Sequence, residues 1–291
     1  MTPDRRTPSE SRRTGVVTGS AGTLGRALAV RLARRGFRLA LVDLNEAANR
    51  ETLVAVEAAG GAGELAAIDV ASPDDWRALG ERLRAAWPRL DWLVNCAGIA
   101  GAGHVGEFPL DDWRRLVDVD LMSVVYACHT LVPWLKETGR GTRIVNVASF
   151  AAFGCLPEMA AYNVAKAGLV ALSETLRTEL APAGVGVSVA CPGFFRSGLL
   201  DRAKMCSDEQ RDFARQQTDK ARRTADDVAD EILAGVDQGR FYLVPKGRVR
   251  WIWRLKRWFP EWFLGRVTAM YLDGERKKAA EKKAAENKTT P

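Results

Sequence analysis

Ser149, Tyr162 and Lys166 are the residues whose types and spacing can do chemistry. A tyrosine and a lysine four apart on a helix project from one face, where an ammonium lowers the pKa of a phenol. The serine closes an apolar, strand-like run ahead of them. Together they read as a general acid/base with a hydroxyl beside it.

A second constellation lies near the N-terminus. Thr18-Gly19-Ser20-Ala21-Gly22-Thr23-Leu24-Gly25 joins a short apolar run (15–18) to a stretch with Leu24, Leu28 and Leu32 at helical spacing. Strand, loop and helix follow in that order. The small residues would let a pyrophosphate approach backbone N–H groups at the positive helix end, although turn glycines also arise for steric reasons alone. Asp43 ends the second strand, where a carboxylate can accept hydrogen bonds from an adenosine ribose or cap the next helix. Leu44 rather than an arginine follows it, and no basic residue lies in 19–25, so NAD(H) is expected over NADP(H). Asp69-Val70 after the third strand is placed to reach the adenine. Asn95-Cys96-Ala97-Gly98 after the fourth makes a floor of mostly small residues beside the dinucleotide.

The elements that must position these groups alternate. Strands are expected at 15–18, 39–43, 64–69, 92–95, 143–149, 185–191 and 241–244, and helices near 24–35, 46–59, 73–86, 110–137 and 158–181. Short, nearly continuous apolar strands separated by amphipathic helices predict an α/β fold with a doubly wound parallel sheet of about seven strands. Ligands of such sheets bind beyond the carboxyl ends of the strands, and Asp43, Asp69, Asn95, Ser149 and Pro192 all fall there.

Composition bounds the rest. A content of 47% hydrophobic and 27% charged residues over 291 positions suits a globular chain. The division expected is a leader at 1–13, one dinucleotide-binding and catalytic domain at 14–245, and a basic amphipathic extension at 246–291. Residues 246–291 hold 13 Lys+Arg against 5 Asp+Glu, a net +8, leaving 30 against 31, a net −1, for residues 1–245. A basic tail on a neutral body argues against nucleic acid as a partner. Cys96, Cys128, Cys155, Cys191 and Cys206 are scattered without a C-x-x-C pair, and with only His104 and His129 no metal site is expected. Reduced cysteines and a polar leader without an apolar core point to the cytoplasm. The longest uncharged run, 121–135, is too short to span a bilayer and suits a buried helix.

Taken together, the glycine loop, the Asn95–Gly98 segment, Ser149, Tyr162-x-x-x-Lys166 and Pro192-Gly193 resemble the short-chain dehydrogenase/reductase family over roughly residues 14–245. The resemblance implies a Rossmann-like oxidoreductase that moves a hydride between a nicotinamide cofactor and a carbonyl/alcohol pair. In it Tyr162 would exchange a proton with the substrate oxygen and Ser149 would hold that oxygen. Lys166 would lower the phenol pKa and hold the nicotinamide ribose. Pro192, Gly193, Phe195 and Ser197 would lie at the carboxamide, Ser197 standing where threonine is usual. Thr23 occupies the middle glycine position of the loop, and Asp120 stands where the family has an asparagine in a water relay. Asp120 reads either as catalytic or as a structural acceptor. The resemblance also implies a homodimer or homotetramer paired through the helices near 110–137 and 158–181.

Phe194, Phe195, Leu199, Leu200, Met205 and Phe213, with Phe153, Leu156 and Met159 opposite, could wall a pocket for a lipophilic small molecule or simply fill the core. The tail sequence RWIWRLKRWFPEWF (250–263) separates aromatic from basic residues on a helix, with Pro260 starting another. That pattern suits peripheral contact with an anionic membrane, or packing on the body or a partner subunit. Two other readings compete: a non-catalytic dinucleotide-binding regulator or scaffold, and an epimerase or dehydratase, which needs a larger C-terminal domain.

Overall fold

Parallel pairing dictates the architecture, because each apolar strand must be followed by a covering helix before the chain returns. The computed structural model describes residues 12–200 and 203–289, so residues 1–11 of the expected leader lie outside the described residues. The chain runs β1 (Thr14–Thr18), α1 (Thr23–Arg34), β2 (Arg38–Val42), α2 (Glu46–Ala58), β3 (Ala62–Ala66), α3 (Pro73–Ala86), β4 (Trp92–Asn95) and β5 (Gly101–Ala102). It continues through α4 (Leu110–Val117), a π-helical segment (Asp118–Met122), α5 (Ser123–Thr138), β6 (Arg143–Val147), α6 (Ala151–Gly154), α7 (Ala160–Leu180) and β7 (Gly186–Ala190). β8 (Lys204–Met205), α8 (Asp208–Asp219), α9 (Ala225–Asp237), β9 (Tyr242–Leu243), α10 (Arg248–Trp258) and α11 (Pro260–Thr289) complete it.

Seven strands form one parallel sheet in the order β3-β2-β1-β4-β6-β7-β9. β5 and β8 make a separate two-residue ladder above it. The sheet is Rossmann-like, as expected, and every residue of its central strands β1 and β4 is buried. One apolar layer sets α1, α2 and α9 against the sheet, with Leu28, Leu32, Val56 and Ile232 buried. The opposite layer contains α3, α5 and α7, with Trp76, Leu83, Leu131 and Leu169 buried.

Several boundaries differ from the sequence reading for a physical reason. The third strand ends at Ala66 rather than residue 69, because its partner β2 ends at Val42 and leaves no ladder beyond the Val42–Ala66 pair. The fifth expected strand likewise ends at Val147, where its register with Ala190 stops. The helix expected over 110–137 is interrupted by the π turn that contains Asp120. The run Leu110–Thr138 is long and apolar enough to cross a membrane by length and composition. Its Leu116, Leu131 and Leu135 are buried, so here it is a core helix.

Capping follows local chemistry. Asn45 accepts from the Ala48 N–H at the start of α2, and Ser72 accepts from Asp75 with Pro73 opening α3. Trp76 is fully buried and donates Nε1–H to the Val70 carbonyl at 2.9 Å, fixing the loop after β3. Trp76→Ala should therefore cost about 3–5 kcal/mol, the range for deleting a large buried aromatic. Urea denaturation measures it, and a loss under ~1 kcal/mol would contradict this packing.

Candidate active site

The strand order reverses between β1 and β4, and the crevice at that switch point is where a parallel sheet receives ligands. A cavity of about 510 Å³ opens there, and the expected residues from the glycine loop, from Asp43, Asp69 and Val70, from Ala97 and Gly98, and from α7 share its wall.

At its cofactor end the turn after β1 is built on close backbone approach. Gly19 has φ +66°, and a Cβ on it would lie 2.7 Å from the Ala97 Cα. A Cβ on Gly25 would meet the Gly19 carbonyl oxygen at 2.1 Å. Thr18 Oγ1 accepts the Cys96 and Ala97 N–H groups at 2.9 and 3.0 Å, locking this turn to the loop after β4. Gly22 caps α1 without a side-chain hydrogen bond, and no acidic residue occupies the first turn, so the orphan amides of α1 face the cavity with their positive end. A phosphate-sized anion fits this cradle. Thr23 is the first residue of α1 and is exposed, so its side chain displaces no turn backbone.

Asp43 accepts from the Ala21 N–H at 3.1 Å and the Asn45 N–H at 2.9 Å, holding its carboxylate at the cavity edge. Asp69 accepts from the Ala71 N–H at 2.9 Å and pairs with Arg115 at 3.1 Å. Arg115, Ile68 and Val119, which no sequence motif marks, also line the cavity, as does Leu44. Arg115 reaches Asp69 only through the tertiary fold, so no local pattern marks it.

Two expected cofactor residues turn their side chains into the fold. Ser20 is fully buried and donates to Asn49 Oδ1 at 2.7 Å, so its hydroxyl serves the α2 contact and not the cavity. Asn95 donates to Asn146 at 2.8 Å, and Asn146 in turn donates to Ser173, which ties β4 to β6 and α7 beneath the crevice.

At the catalytic end, Ser149 lies two residues past β6 and accepts the Ala151 N–H at 3.1 Å. Tyr162 and Lys166 sit one turn apart on α7, with the Lys166 Nζ 5.7 Å from the Tyr162 ring centre. The Ser149 hydroxyl stands beside the Tyr162 phenol and favours its charged form. Lys166 is almost wholly buried, with Nζ 3.1 Å from Asp120 Oδ2 and 3.3 Å from the Val147 carbonyl oxygen. Asp120 is buried too, and its Oδ1 accepts the Ile99 N–H at 2.7 Å.

Burial alone would push the Lys166 ammonium down, but the Asp120 carboxylate and the phenol offset this and hold it above its ordinary range. Burial raises the Asp120 carboxyl against the pull of Lys166 and the Ile99 amide. For Tyr162, burial raises the phenol and the Asp120 charge adds to it, while Lys166 and the Ser149 hydroxyl pull it down; the outcome lies above the ordinary value. Lys166 lowers the phenol as expected, and burial together with the Asp120 charge outweighs it. The neighbouring Cys96 and Cys191 thiols are pushed up to about 12 by burial and stay neutral.

Beyond β7, Pro192, Gly193, Phe195 and Ser197 line the cavity, and the Pro192 carbonyl accepts the Phe150 N–H at 2.8 Å. Leu156, Met159, Phe194, Leu199 and Leu200 form an apolar wall. Phe153 instead packs on Trp253, Met205 lies in β8, and Phe213 is exposed.

The short chain dehydrogenase family model matches residues 13–205. The chain is 35% identical over 228 residues to "Probable oxidoreductase EphD" of Mycobacterium tuberculosis, an alignment covering 76% of this chain and 38% of that protein. The chain thus spans well under half the length of that relative. A short-chain dehydrogenase/reductase from Burkholderia phymatum in complex with NAD superposes with TM-score 0.79 at 26% identity, covering 86% of this chain and 95% of the other. A short-chain dehydrogenase from Sphingobium yanoikuyae in complex with NADPH gives 0.72 at 25% identity, covering 92% and 95%.

Gly25→Ala should destabilise the fold by about 1–3 kcal/mol, because the added carbon meets backbone that cannot yield. Gly22→Ala, whose Cβ would lie 3.2 Å from the Gly19 oxygen, should do less. Denaturation midpoints of the two variants compare them, and equal midpoints would contradict the turn's close packing.

Proposed function

Because the chain belongs to the short-chain dehydrogenase/reductase family, we propose that it is a nicotinamide-dependent oxidoreductase acting on a carbonyl/secondary alcohol pair, with Tyr162 as its general acid/base. The observation that carries this reading is that Ser149 and the buried Tyr162 and Lys166 share one cavity with the uncapped glycine turn of α1.

The amides of the α1 first turn and Gly19 would hold the pyrophosphate, Asp43 the adenosine ribose, and Asp69 and Val70 the adenine. Ala97, Gly98, Pro192, Gly193, Phe195 and Ser197 would lie along the nicotinamide half. When bound, the nicotinamide supplies the hydride acceptor or donor. The protein's own residues manage the proton. Ser149 Oγ orients the substrate oxygen, and Tyr162 Oη gives a proton to it in reduction and takes one in oxidation. Lys166 stabilises the phenolate and would reach the nicotinamide ribose.

NAD(H) is favoured over NADP(H), since the Asp43 carboxylate, fixed by two backbone amides, would repel a 2′-phosphate. The apolar wall of Leu156, Met159, Phe194, Leu199 and Leu200 supports a lipophilic substrate. A homodimer or homotetramer through α5 and α7 belongs to the same reading.

Tyr162→Phe should lower turnover at least ~10²-fold, the low end for positioned acid/base catalysis, with dinucleotide binding kept. Nicotinamide absorbance, followed with each cofactor over secondary alcohols and lipophilic carbonyls, measures it. Near-normal turnover in that variant would exclude Tyr162 as the proton donor.

Asp120 is proposed as a positioning residue that acts through Lys166. Its negative charge raises the phenol pKa, so removing it favours phenolate at lower pH. Alcohol oxidation needs phenolate, whose fraction falls as pH drops through the Tyr162 pKa. Asp120→Asn removes the carboxylate charge and also the counter-ion that holds the Lys166 ammonium, so the acid limb of kcat for oxidation should move, to lower pH where the first effect outweighs the second and to higher pH where it does not. An unmoved limb with folding intact would leave Asp120 a purely structural acceptor.

A further inference from the structure

The C-terminal helices carry a surface that the reaction does not use. Among the described residues, half of the exposed large hydrophobics fall within 251–272: Trp251, Trp258, Phe259, Trp262, Leu264, Met270 and Leu272. Trp251 and Trp258 are each 65% exposed, and Phe259 and Trp262 each 56%. Isolated exposed apolar residues are ordinary on a protein surface, but a concentration of indoles on one helical pair is not.

α10 has two faces, and only one is partnered. On the inner face Val249 and Trp253 pack against the core, with the Trp253 ring 6.0 Å from Phe153 and 5.3 Å from Tyr242. Lys256 Nζ donates to the Phe153 carbonyl at 2.6 Å, and Arg250 to the Val244 carbonyl at 2.7 Å. The outer face carries Trp251, Arg254 and Trp258 at helical spacing, and the exposed Trp262 follows in the first turn of α11.

We propose that the outer face of α10 and the first turns of α11 form a docking surface for an anionic lipid bilayer. Indole rings with an apolar body and one polar N–H belong at the headgroup level, and the adjacent arginines meet anionic phosphates. Charge complementarity selects this occupant. α10 contains five Lys and Arg and no acidic residue, and residues 246–291 carry 13 Lys+Arg against 5 Asp+Glu. A second copy fits worse, because a two-fold interface through this face would set the basic helix against itself.

The surface adjoins the pocket. The Phe153–Met159 segment held by Lys256 supplies Leu156 and Met159 to the cavity wall, and Tyr271 of α11 donates to Glu158 Oε1 at 3.1 Å. Docking itself is independent of turnover, so it can be tested without a substrate.

The test is co-sedimentation of the full-length chain with vesicles of phosphatidylcholine alone and of equimolar phosphatidylcholine and phosphatidylglycerol, at low and high salt. The chain is expected to pellet with anionic vesicles at low salt, at least ~10-fold more than with neutral ones. The triple variant Trp251→Ser/Trp258→Ser/Trp262→Ser should lose this while keeping its thermal midpoint, since all three side chains are exposed. Absence of pelleting at low salt, pelleting retained by the triple variant, or light scattering showing a dimer that the triple variant dissociates would each overturn the proposal.

Discussion

A buried ammonium sets the terms for the whole catalytic end. Lys166 is 4% exposed, and an unpaired cation at that depth would cost several kcal/mol in desolvation. The molecule offsets this with a carboxylate, Asp120, and one strand-end carbonyl, that of Val147. Each partner constrains an element. Asp120 faces inward from a helix that widens into a π turn, a distortion that recurs where a side chain must be re-aimed. Gly98 has no Cβ, which would stand 3.3 Å from Nζ and 3.4 Å from the Asp120 carboxylate. The Ile99 amide takes the other carboxylate oxygen. The Lys166–Asp120 pair and the Ile99 amide thus tie together the loop after β4, the π turn and α7. Tyr162 inherits its position from the same helix.

That arrangement explains which parts of the site could be read from residues alone. Gly19 and Gly25 announce themselves because no other residue fits where their Cα atoms meet backbone. Tyr162 and Lys166 follow from a spacing of four on a helix. The strands follow from short apolar runs, and α9 had a readable signal in Thr224 and Asp227, a reciprocal cap before Val228, Ile232 and Val236. α8 had little beyond its Ser207–Gln210 cap, since only Ala214 of its residues is buried. The side-chain directions of Ser20 and Asn95 are not legible in the sequence, because a polar residue beside a glycine or at a strand end can turn either way. The choice was made by Asn49 and Asn146, which lie far off in sequence. The net direction of the Tyr162 pKa was equally out of reach: the lysine is local, but the burial and the Asp120 charge that outweigh it are tertiary.

The two halves of the cavity are therefore supported differently. The acid/base half is braced by the sheet and α7, whose packing is shared with the core. The apolar half depends on the segment from Phe153 to Met159, where Cys155 has φ +46° and Glu158 φ +63°. Non-glycine residues in the left-handed region cost roughly 1–2 kcal/mol each and persist only where neighbours hold them. The holding groups come from elsewhere in the chain. Gly103 N–H donates to the Glu158 carbonyl at 2.6 Å, Gln210 of α8 and Tyr271 of α11 bond its carboxylate, and Lys256 of α10 bonds the Phe153 carbonyl. A segment that no catalytic motif includes thus shapes the wall a substrate would meet. The proton chemistry can stay fixed by the core while the pocket's outline follows the C-terminal helices. A change on the inner face of α10 would then act on what the cavity admits and leave the Tyr162–Lys166 pair as it is.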